Sequence, residues 1–131
     1  MHRLNATMPK AAEAHLHGDT LTAEVDNDVP AGFAPVRYRV GGFNAAYNNL
    51  NRGNGGHPMV QTELDIVFAS GNHRGSTPDG VTPQALLTVV EDHLKHMQQT
   101  PNAAVAYSRA TGLIREAIKE LVDHEHELLG E

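Results

Sequence analysis

The pattern of apolar and polar positions divides the chain into a strand-like first half and a helical second half. Residues 21–25 and 36–40 alternate between apolar and polar side chains, and residues 59–70 alternate over most of their length. Alternation with a period of two predicts β-strands with one covered face. After residue 82 the apolar residues recur at steps of three and four, which is the period of an amphipathic helix.

The first predicted helix runs from Pro83 to about residue 98. Thr82 is a suitable N-cap, and Pro83 suits the first helical position, where a missing N–H costs nothing. Pro101 ends the helix because the residue before a proline is disfavoured in the α conformation. The side chains expected on one face of this helix are Leu86, Val89, Val90, His93, Leu94 and Met97.

The second predicted helix starts near Asn102 and continues to about Leu129, with Gly130 placed to end it. So short a connection makes the two helices antiparallel neighbours. Two helices cannot cover both apolar stripes by themselves, so a partner chain or the N-terminal half must cover the rest. The stripe of the second helix contains Ala106, Ala110, Leu113, Ile114, Ala117, Ile118, Leu121 and Leu128.

These elements predict an α+β fold, with a small antiparallel β-sheet followed by a C-terminal antiparallel helical hairpin. We expect residues 1–19 to form a flexible N-terminal arm, because they show no sustained period. Residues 20–131 then form a single domain, with a β-rich part at 20–70 and the hairpin at 83–129. A length of 131 residues fits one domain.

The composition of the chain argues against several classes of function. The formal net charge is −6, which argues against a protein that binds a nucleic acid polymer through clustered lysines and arginines. The chain has no cysteine, which excludes disulfides, thiolate metal ligands and a cysteine nucleophile. It has neither an apolar run long enough for a membrane span nor a signal-peptide pattern at its start, so we expect it to act where it is made.

Residues 41–58 are rich in glycine and asparagine and predict a long loop. Loops of this length are often functional, and glycine amides can approach a phosphate group. However, neither a P-loop nor a dinucleotide-binding pattern is present, so an exposed connection is the simpler interpretation. Phe43 and Tyr47 either stack on a base or pin the loop to the core.

The candidate catalytic groups do not assemble into a recognisable site. The chain has nine histidines, but His93 and His124 are predicted to lie roughly 22 Å apart along the hairpin at 1.5 Å per residue. The serines lack a nucleophile-elbow context, and no H-E-x-x-H motif occurs. We therefore predict a protein that is not an enzyme and holds neither a metal nor a cofactor. Arg109 differs from the other helical charges because it lies just past the hairpin tip among alanines, opposite His93.

Two segments followed by the second helix resemble a known family. Residues 65–71 and 79–87 lead into a hairpin that is similar to the helical-hairpin domain of phage anti-defence proteins. These proteins are cyclic-nucleotide sponges that oppose the CBASS and Thoeris immune systems. The resemblance covers about residues 60–129, and in the second helix it rests on Pro101, Ala103, Ala110, Ile114, Glu116, Ala117, Ile118 and Leu121.

The resemblance implies a homo-oligomer, a dimer or a hexamer, that binds a cyclic nucleotide between protomers in the host cell cytoplasm without catalysis. Under this hypothesis we expect Arg109 to meet phosphate charge, and Asn102, at the hairpin tip, to hydrogen-bond a base or ribose. His73 and Arg74, in the turn before the hairpin, would complete the ligand-binding residues.

The chain departs from the family pattern at two places. Residues 102–104 read Asn-Ala-Ala where the family usually has Phe-Ala-Cys, and His124 and Glu125 stand in a segment that is basic in the family. Both positions would supply stacking or charge to a nucleotide. The alternative is therefore an oligomeric scaffold or protein-binding inhibitor that uses the hairpin only for assembly, and a metal-dependent hydrolase ranks last.

Overall fold

The computed structural model describes residues 2–3, 21–71, 73–74, 77–101 and 103–128. The chain divides into two compact units, residues 1–70 and residues 71–131. The first unit contains an antiparallel sheet and the second a helical hairpin, so the predicted α+β fold is confirmed. Apart from a short strand at its start, the predicted arm at 1–19 lies outside the described residues.

The sheet of the first unit has four strands in the order β1-β2-β3-β4, each antiparallel to its neighbours. The strands are β1 (His2–Arg3), β2 (Thr22–Val25), β3 (Arg37–Gly41) and β4 (Glu63–Val67). Strands β2 and β3 lie where the alternating patterns predict them. Strand β1 pairs with β2 at the edge of the sheet.

One face of this sheet is apolar, as the alternation predicts. Val25, Tyr38 and Ile66 lie side by side across β2, β3 and β4. The ring of Tyr38 meets the ring of Phe68 edge to face, with centroids 5.5 Å apart. Among the described residues, Val25, at 5% exposure, is the one hydrophobic side chain that is buried, and none is fully buried. The first unit therefore has a thin core, and most of its apolar face is only partly covered.

The opposite face of the sheet carries charged side chains that pair across the strands. Arg39 lies opposite Asp65 in the ladder, and its Nε donates a hydrogen bond to Asp65 Oδ1 at 3.0 Å. Glu63 Oε2 lies 3.6 Å from the same nitrogen. The hydrogen bond to Asp65 raises the pKa of Arg39, and the charges of Asp65 and Glu63 act in the same direction. These pairs fix the register between β3 and β4.

Strand β4 is shorter than the strand predicted over residues 59–70. The Gln61 carbonyl accepts a hydrogen bond from the Ala45 amide at 2.8 Å, and the Met59 carbonyl accepts one from Asn51 Nδ2 at 2.6 Å. These two carbonyl groups therefore accept hydrogen bonds from the preceding loop, whereas in a longer strand they would be free to bond to a neighbouring strand. The segment before Glu63 bonds to this loop and stays outside the ladder.

The second unit begins with a two-stranded ribbon and continues as the helical hairpin. Its elements are β5 (His73–Arg74), β6 (Thr77–Pro78), α1 (Pro83–Met97) and α2 (Val105–Leu128). The start of α1 is confirmed, because Thr82 Oγ1 accepts the Ala85 amide at 3.2 Å. Helix α2 begins at Val105, later than the predicted start near Asn102. The reason is a turn after Pro101, closed by the Thr100 carbonyl and the Ala103 amide at 3.1 Å.

Polar side chains join the two helices at three levels. The contacts run from Gln98 Nε2 to Thr111 Oγ1 at 2.9 Å, from Arg115 Nε to Glu91 Oε1 at 2.7 Å, and from Gln84 Nε2 to Glu125 Oε2 at 2.8 Å. As the α1 residue number falls, its α2 partner's number rises, so the helices are antiparallel. Half-buried apolar side chains lie on the same sides of the helices between these levels: Leu87, Leu94, Ile114, Ile118 and Leu121.

Candidate functional site

Arg109 lies in the second turn of α2 with its side chain exposed. The sequence predicts that it lies opposite His93, but the contacts between the helices place it near the level of Gln98. The reason is that residues 98–104 form the connection, which shifts α2 along α1. Gln98 Nε2 contacts Thr111 Oγ1 at 2.9 Å and the Tyr107 carbonyl oxygen at 3.3 Å, and these contacts fix that level.

The other described helical cations are all in ion pairs. Lys95 and Arg115 both contact Glu91, and Lys119 contacts Asp123. Among the described residues Arg109 has no such carboxylate partner. It therefore remains available for an anion from outside the hairpin.

A shallow open groove surrounds Arg109 on the outer face of α2. Its lining is Ser108, Arg109, Gly112, Leu113 and Glu116. Apart from its chain neighbours and the backbone of its own helix, no atom lies within 4 Å of the position that a Cβ on Gly112 would occupy, so this glycine leaves a notch in the helix surface. Sequence reasoning missed Gly112, although a lone glycine within a helical pattern usually has a packing or functional reason.

The remaining predicted site residues are not brought beside Arg109 by the hairpin itself. His73 and Arg74 form β5, which precedes the start of α1, whereas Arg109 lies near the opposite end of α1. The length of α1 corresponds to about 22 Å at 1.5 Å per residue. Asn102 lies outside the described residues. The participation of His73, Arg74 and Asn102 in one site stays a prediction.

A second feature of the hairpin is its exposed apolar surface. Val89 is 68% exposed and Leu113 is 67% exposed, although both belong to the predicted apolar stripes. His93 is also exposed. The helices contact each other through the sides that carry Glu91 and Thr111, and these sides coincide only partly with the stripes. The expectation that two helices leave apolar residues uncovered therefore holds within the hairpin.

The exposed stripes of the two helices lie on the same side of the hairpin. In α1, Val90 and Met97 are about 100° around the helix axis from the side that contacts α2. In α2, Leu113 and Ala117 are likewise about 100° around the helix axis from the side that contacts α1. The direction of rotation is the same in both helices when each is viewed from its N-terminus. Because the helices are antiparallel, these equal rotations bring both stripes to one side. We call this surface the hairpin face; it comprises Leu86, Val89, Val90, His93, Met97, Ala106, Ala110, Leu113 and Ala117.

The loop at residues 41–58 is held together by asparagine side chains. Asn44 Oδ1 accepts the Ala46 amide at 3.0 Å, and Asn48 Oδ1 accepts the Leu50 amide at 2.9 Å. Asn51 Nδ2 donates to the Ala45 carbonyl at 2.9 Å. Sequence reasoning missed this role, although asparagine that bonds the backbone two residues on is a frequent turn former.

Two of the glycine amides of this loop bond to carbonyl groups within it. The Gly53 amide donates to the His57 carbonyl at 2.6 Å, and the Gly56 amide donates to the Gly53 carbonyl at 3.2 Å. These donors are satisfied within the loop, which favours the interpretation as a connection. Tyr47 is 83% exposed, so it does not pin the loop to a core, whereas Phe43 is half-buried. Leu50 is 89% exposed.

The histidines of the described part of the chain do not gather into a metal site. No group of three or more histidine and carboxylate side chains there is placed to hold an ion. His96 Nδ1 instead lies 2.9 Å from the Asp92 carbonyl oxygen, one turn earlier in α1. With the observed register, His93 and His124 remain about 14 Å apart along the hairpin axis at 1.5 Å per residue.

Comparison with known proteins adds no family to this picture: no protein-family model matches the chain, and no curated protein matches it. Within the described residues, neither helix combines the length and the apolar character that a bilayer crossing requires. The resemblance of the hairpin to the phage sponges therefore stays a prediction from its own residues.

Proposed function

We propose that the protein is a phage anti-defence protein that binds and sequesters a cyclic nucleotide immune signal in the host cytoplasm, without catalysis. The ligand class is a small anion with a flat apolar base. The proposal combines the family resemblance with two features of the hairpin: a cation with no carboxylate partner among the described residues, and an uncovered apolar surface beside it.

The observation that carries the proposal is the environment of Arg109. A guanidinium group binds phosphate through paired N–H donors, and this geometry is specific as well as strong. Arg109 has no carboxylate partner among the described residues, and the notch at Gly112 leaves room beside it for a ligand. Leu113, in the same groove, supplies an apolar contact for a base.

The hairpin face supports the oligomeric part of the proposal. A surface of this kind is stabilised when a second copy covers it, because apolar area is removed from water. Arg109 lies beside this face, about 40° around α2 from Leu113 at 100° per residue. Association of copies through the hairpin face would enclose the groove between protomers and exclude water from the cation, which strengthens its attraction for phosphate.

Isothermal titration calorimetry tests the proposal with a panel of cyclic dinucleotides, cyclic trinucleotides and cyclic ADP-ribose isomers. We expect at least one member to bind, and Arg109→Gln to weaken that binding by about tenfold or more, as for loss of a charge-assisted hydrogen bond. Lys119→Gln is the matched control, since it removes one positive charge from the same helix outside the groove. Absence of binding by every member, with the protein folded and oligomeric, would overturn the proposal.

A second candidate function is a protein-binding inhibitor or scaffold. The observation that favours it is the loop at residues 41–58, where Tyr47 and Leu50 are exposed on a backbone that the side chains of Asn44 and Asn48 hold by hydrogen bonds. Exposed aromatic side chains on ordered loops are frequent anchors of protein interfaces. This function predicts a host protein that binds the wild type and not the Tyr47→Ser variant, together with no shift of melting temperature by any cyclic nucleotide.

A further inference from the structure

Strand β4 lies at the edge of the four-stranded sheet. Its inner side pairs with β3, and among the described residues no strand pairs with its outer side. The Phe68 amide donates to the Val36 carbonyl at 2.8 Å, and Ile66 lies opposite Tyr38. In an antiparallel pair alternate residues direct their backbone groups to the neighbour. Even-numbered residues of β4 therefore bond to β3, and odd-numbered residues direct their N–H and C=O groups outward.

This outer edge lacks the features that usually prevent strand pairing. Natural edge strands are protected by proline, lysine, bulges or a covering element. Residues 59–71 contain no proline, lysine or arginine. The two acidic side chains of β4, Glu63 and Asp65, lie on the polar face beside Arg39. The Glu63 carbonyl accepts a hydrogen bond from Gln61 Nε2 at 3.1 Å, but within the described residues no group bonds the outward N–H and C=O groups of Asp65 and Val67. The centre of the β4 edge is thus open to another strand.

Two copies of the β4 sequence complement each other when they pair as antiparallel strands centred on Ile66. If a two-fold axis places Ile66 opposite Ile66 of a second copy, Asp65 lies opposite Val67 and Leu64 opposite Phe68. The outward-pointing groups of Asp65 and Val67 then form hydrogen-bonded pairs on both sides of the axis, as an antiparallel ladder requires. The apolar side chains of both copies continue on one face of the sheet.

Other two-fold registers are worse. An axis at Asp65 places two aspartates opposite each other, and an axis at Leu64 places Glu63 opposite Asp65. Like charges directly opposite in a sheet destabilise it. An axis at Val67 replaces the apolar pair of Leu64 and Phe68 by Leu64 and Ser70. Of these four axes, the one at Ile66 keeps like charges apart and also pairs each of Leu64, Ile66 and Phe68 with another apolar side chain.

We propose that two copies of this chain pair through their β4 strands, antiparallel and with Ile66 opposite Ile66, to form one continuous sheet. The partner is a second copy because the edge complements its own sequence in charge, in backbone donors and in apolar side chains. This inference concerns the first unit alone and does not depend on the proposed ligand.

Disulfide trapping tests the register, because the chain has no cysteine. Residues in a non-hydrogen-bonded antiparallel pair have Cα atoms about 4.5 Å apart, within the range that a disulfide spans. We expect the Ile66→Cys variant to form a covalent dimer under mild oxidation. Leu64→Cys is the matched control, since its two cysteines would lie about 14 Å apart at four residues' separation along the strand.

Equal trapping by both variants, trapping by Leu64→Cys alone, or trapping by neither would overturn the proposal. Val67→Pro supplies a second measurement, because it removes an outward N–H that β3 does not use, and proline is tolerated at sheet edges. We expect light scattering of Val67→Pro to show loss of the dimer, with Val67→Thr as the control that keeps the N–H. A folded Val67→Pro protein that keeps the wild-type mass would also overturn it. Failure of nucleotide binding would change neither result.

Discussion

The sheet and the hairpin use their polar and apolar side chains in opposite ways. In the sheet, the apolar side chains meet one another on one face, where Tyr38 contacts Phe68, and Arg39 pairs with Asp65 on the other face. In the hairpin, several of the interhelical contacts are polar, and most apolar side chains of the hairpin face are exposed, with Leu86, Met97 and Ala110 half-buried. The apolar residues of the sheet therefore stabilise its own fold, whereas those of the hairpin face are available for assembly.

This difference explains how the hairpin keeps a defined register with few buried apolar residues. Hydrogen bonds between long polar side chains are directional, so Gln98 with Thr111 and Glu91 with Arg115 each fix one level of the helix pair. Polar residues at helix interfaces are known to specify register at a cost in stability. The hairpin thus gains specificity from polar contacts and needs further burial for stability.

The largest effect is expected from Tyr38→Ala in the sheet. This change removes the edge-to-face ring pair and half-buried apolar area, and we expect it to lower the free energy of unfolding of the first unit by about 2 kcal/mol. Tyr38→Phe keeps the ring and is the control, with a much smaller change. Hydrogen exchange measures the effect, because amides of β3 and β4 should lose protection. An equal loss of protection in α1 and α2 would contradict the separation of the two units.

The strand and helix positions that could be predicted from the sequence are those that depend on residues close to them in the chain. Thr82 and Pro83 fix the start of α1 whatever lies around them, and the alternation of residues 36–40 identifies β3 and its apolar face. The start of β4 could not be predicted in this way. It depends on Asn51, a loop side chain that bonds to the Met59 carbonyl from eight residues away.

The candidate site could likewise be predicted from the sequence only in part. The exposure of Arg109 follows from its position on the helix, but its level relative to α1 depends on the length of the connection at residues 98–104. That length is set by the turn between Thr100 and Ala103, which moved Arg109 from the level of His93 to that of Gln98. The hydrogen bond between Gln84 and Glu125 could not be predicted either, because an apolar stripe alone does not indicate polar contacts between helices.

A smaller effect is expected from acid, and it is specific to the hairpin. Glu91 is 14% exposed in its side chain, and hydrogen bonds from Arg115 and then Lys95 lower the pKa of its carboxyl group below the usual 4.5. Because the folded pKa is below the unfolded one, the stabilisation is fully present above pH 4.5 and is lost as the pH falls through the lowered pKa. Hairpin stability should therefore decrease with acidification in this range.

Urea unfolding of wild type and Glu91→Gln between pH 7 and pH 3 measures this effect. The variant should be less stable at neutral pH, and its stability should depend less on pH, since the group that titrates is gone. Glu116→Gln, an exposed position on the same hairpin with no ion pair among the described residues, is the control that should retain the wild-type pH dependence. Parallel pH curves for wild type and Glu91→Gln would show that the ion pair does not stabilise the hairpin.

The smallest effect on folding, and the sharpest contrast with Tyr38, is expected for Leu113→Ala on the hairpin face. Leu113 is 67% exposed, so its truncation should change the free energy of unfolding of the dissociated chain by less than about 0.5 kcal/mol. If copies cover this face, the same change should weaken their association severalfold in sedimentation equilibrium, because buried apolar area is lost. Ile114→Ala, one position along and half-buried against α1, should instead destabilise the hairpin itself. If the association of Leu113→Ala is unchanged, the apolar surface of the hairpin does not stabilise the assembly. The sheet and the hairpin would then differ in burial but not in role.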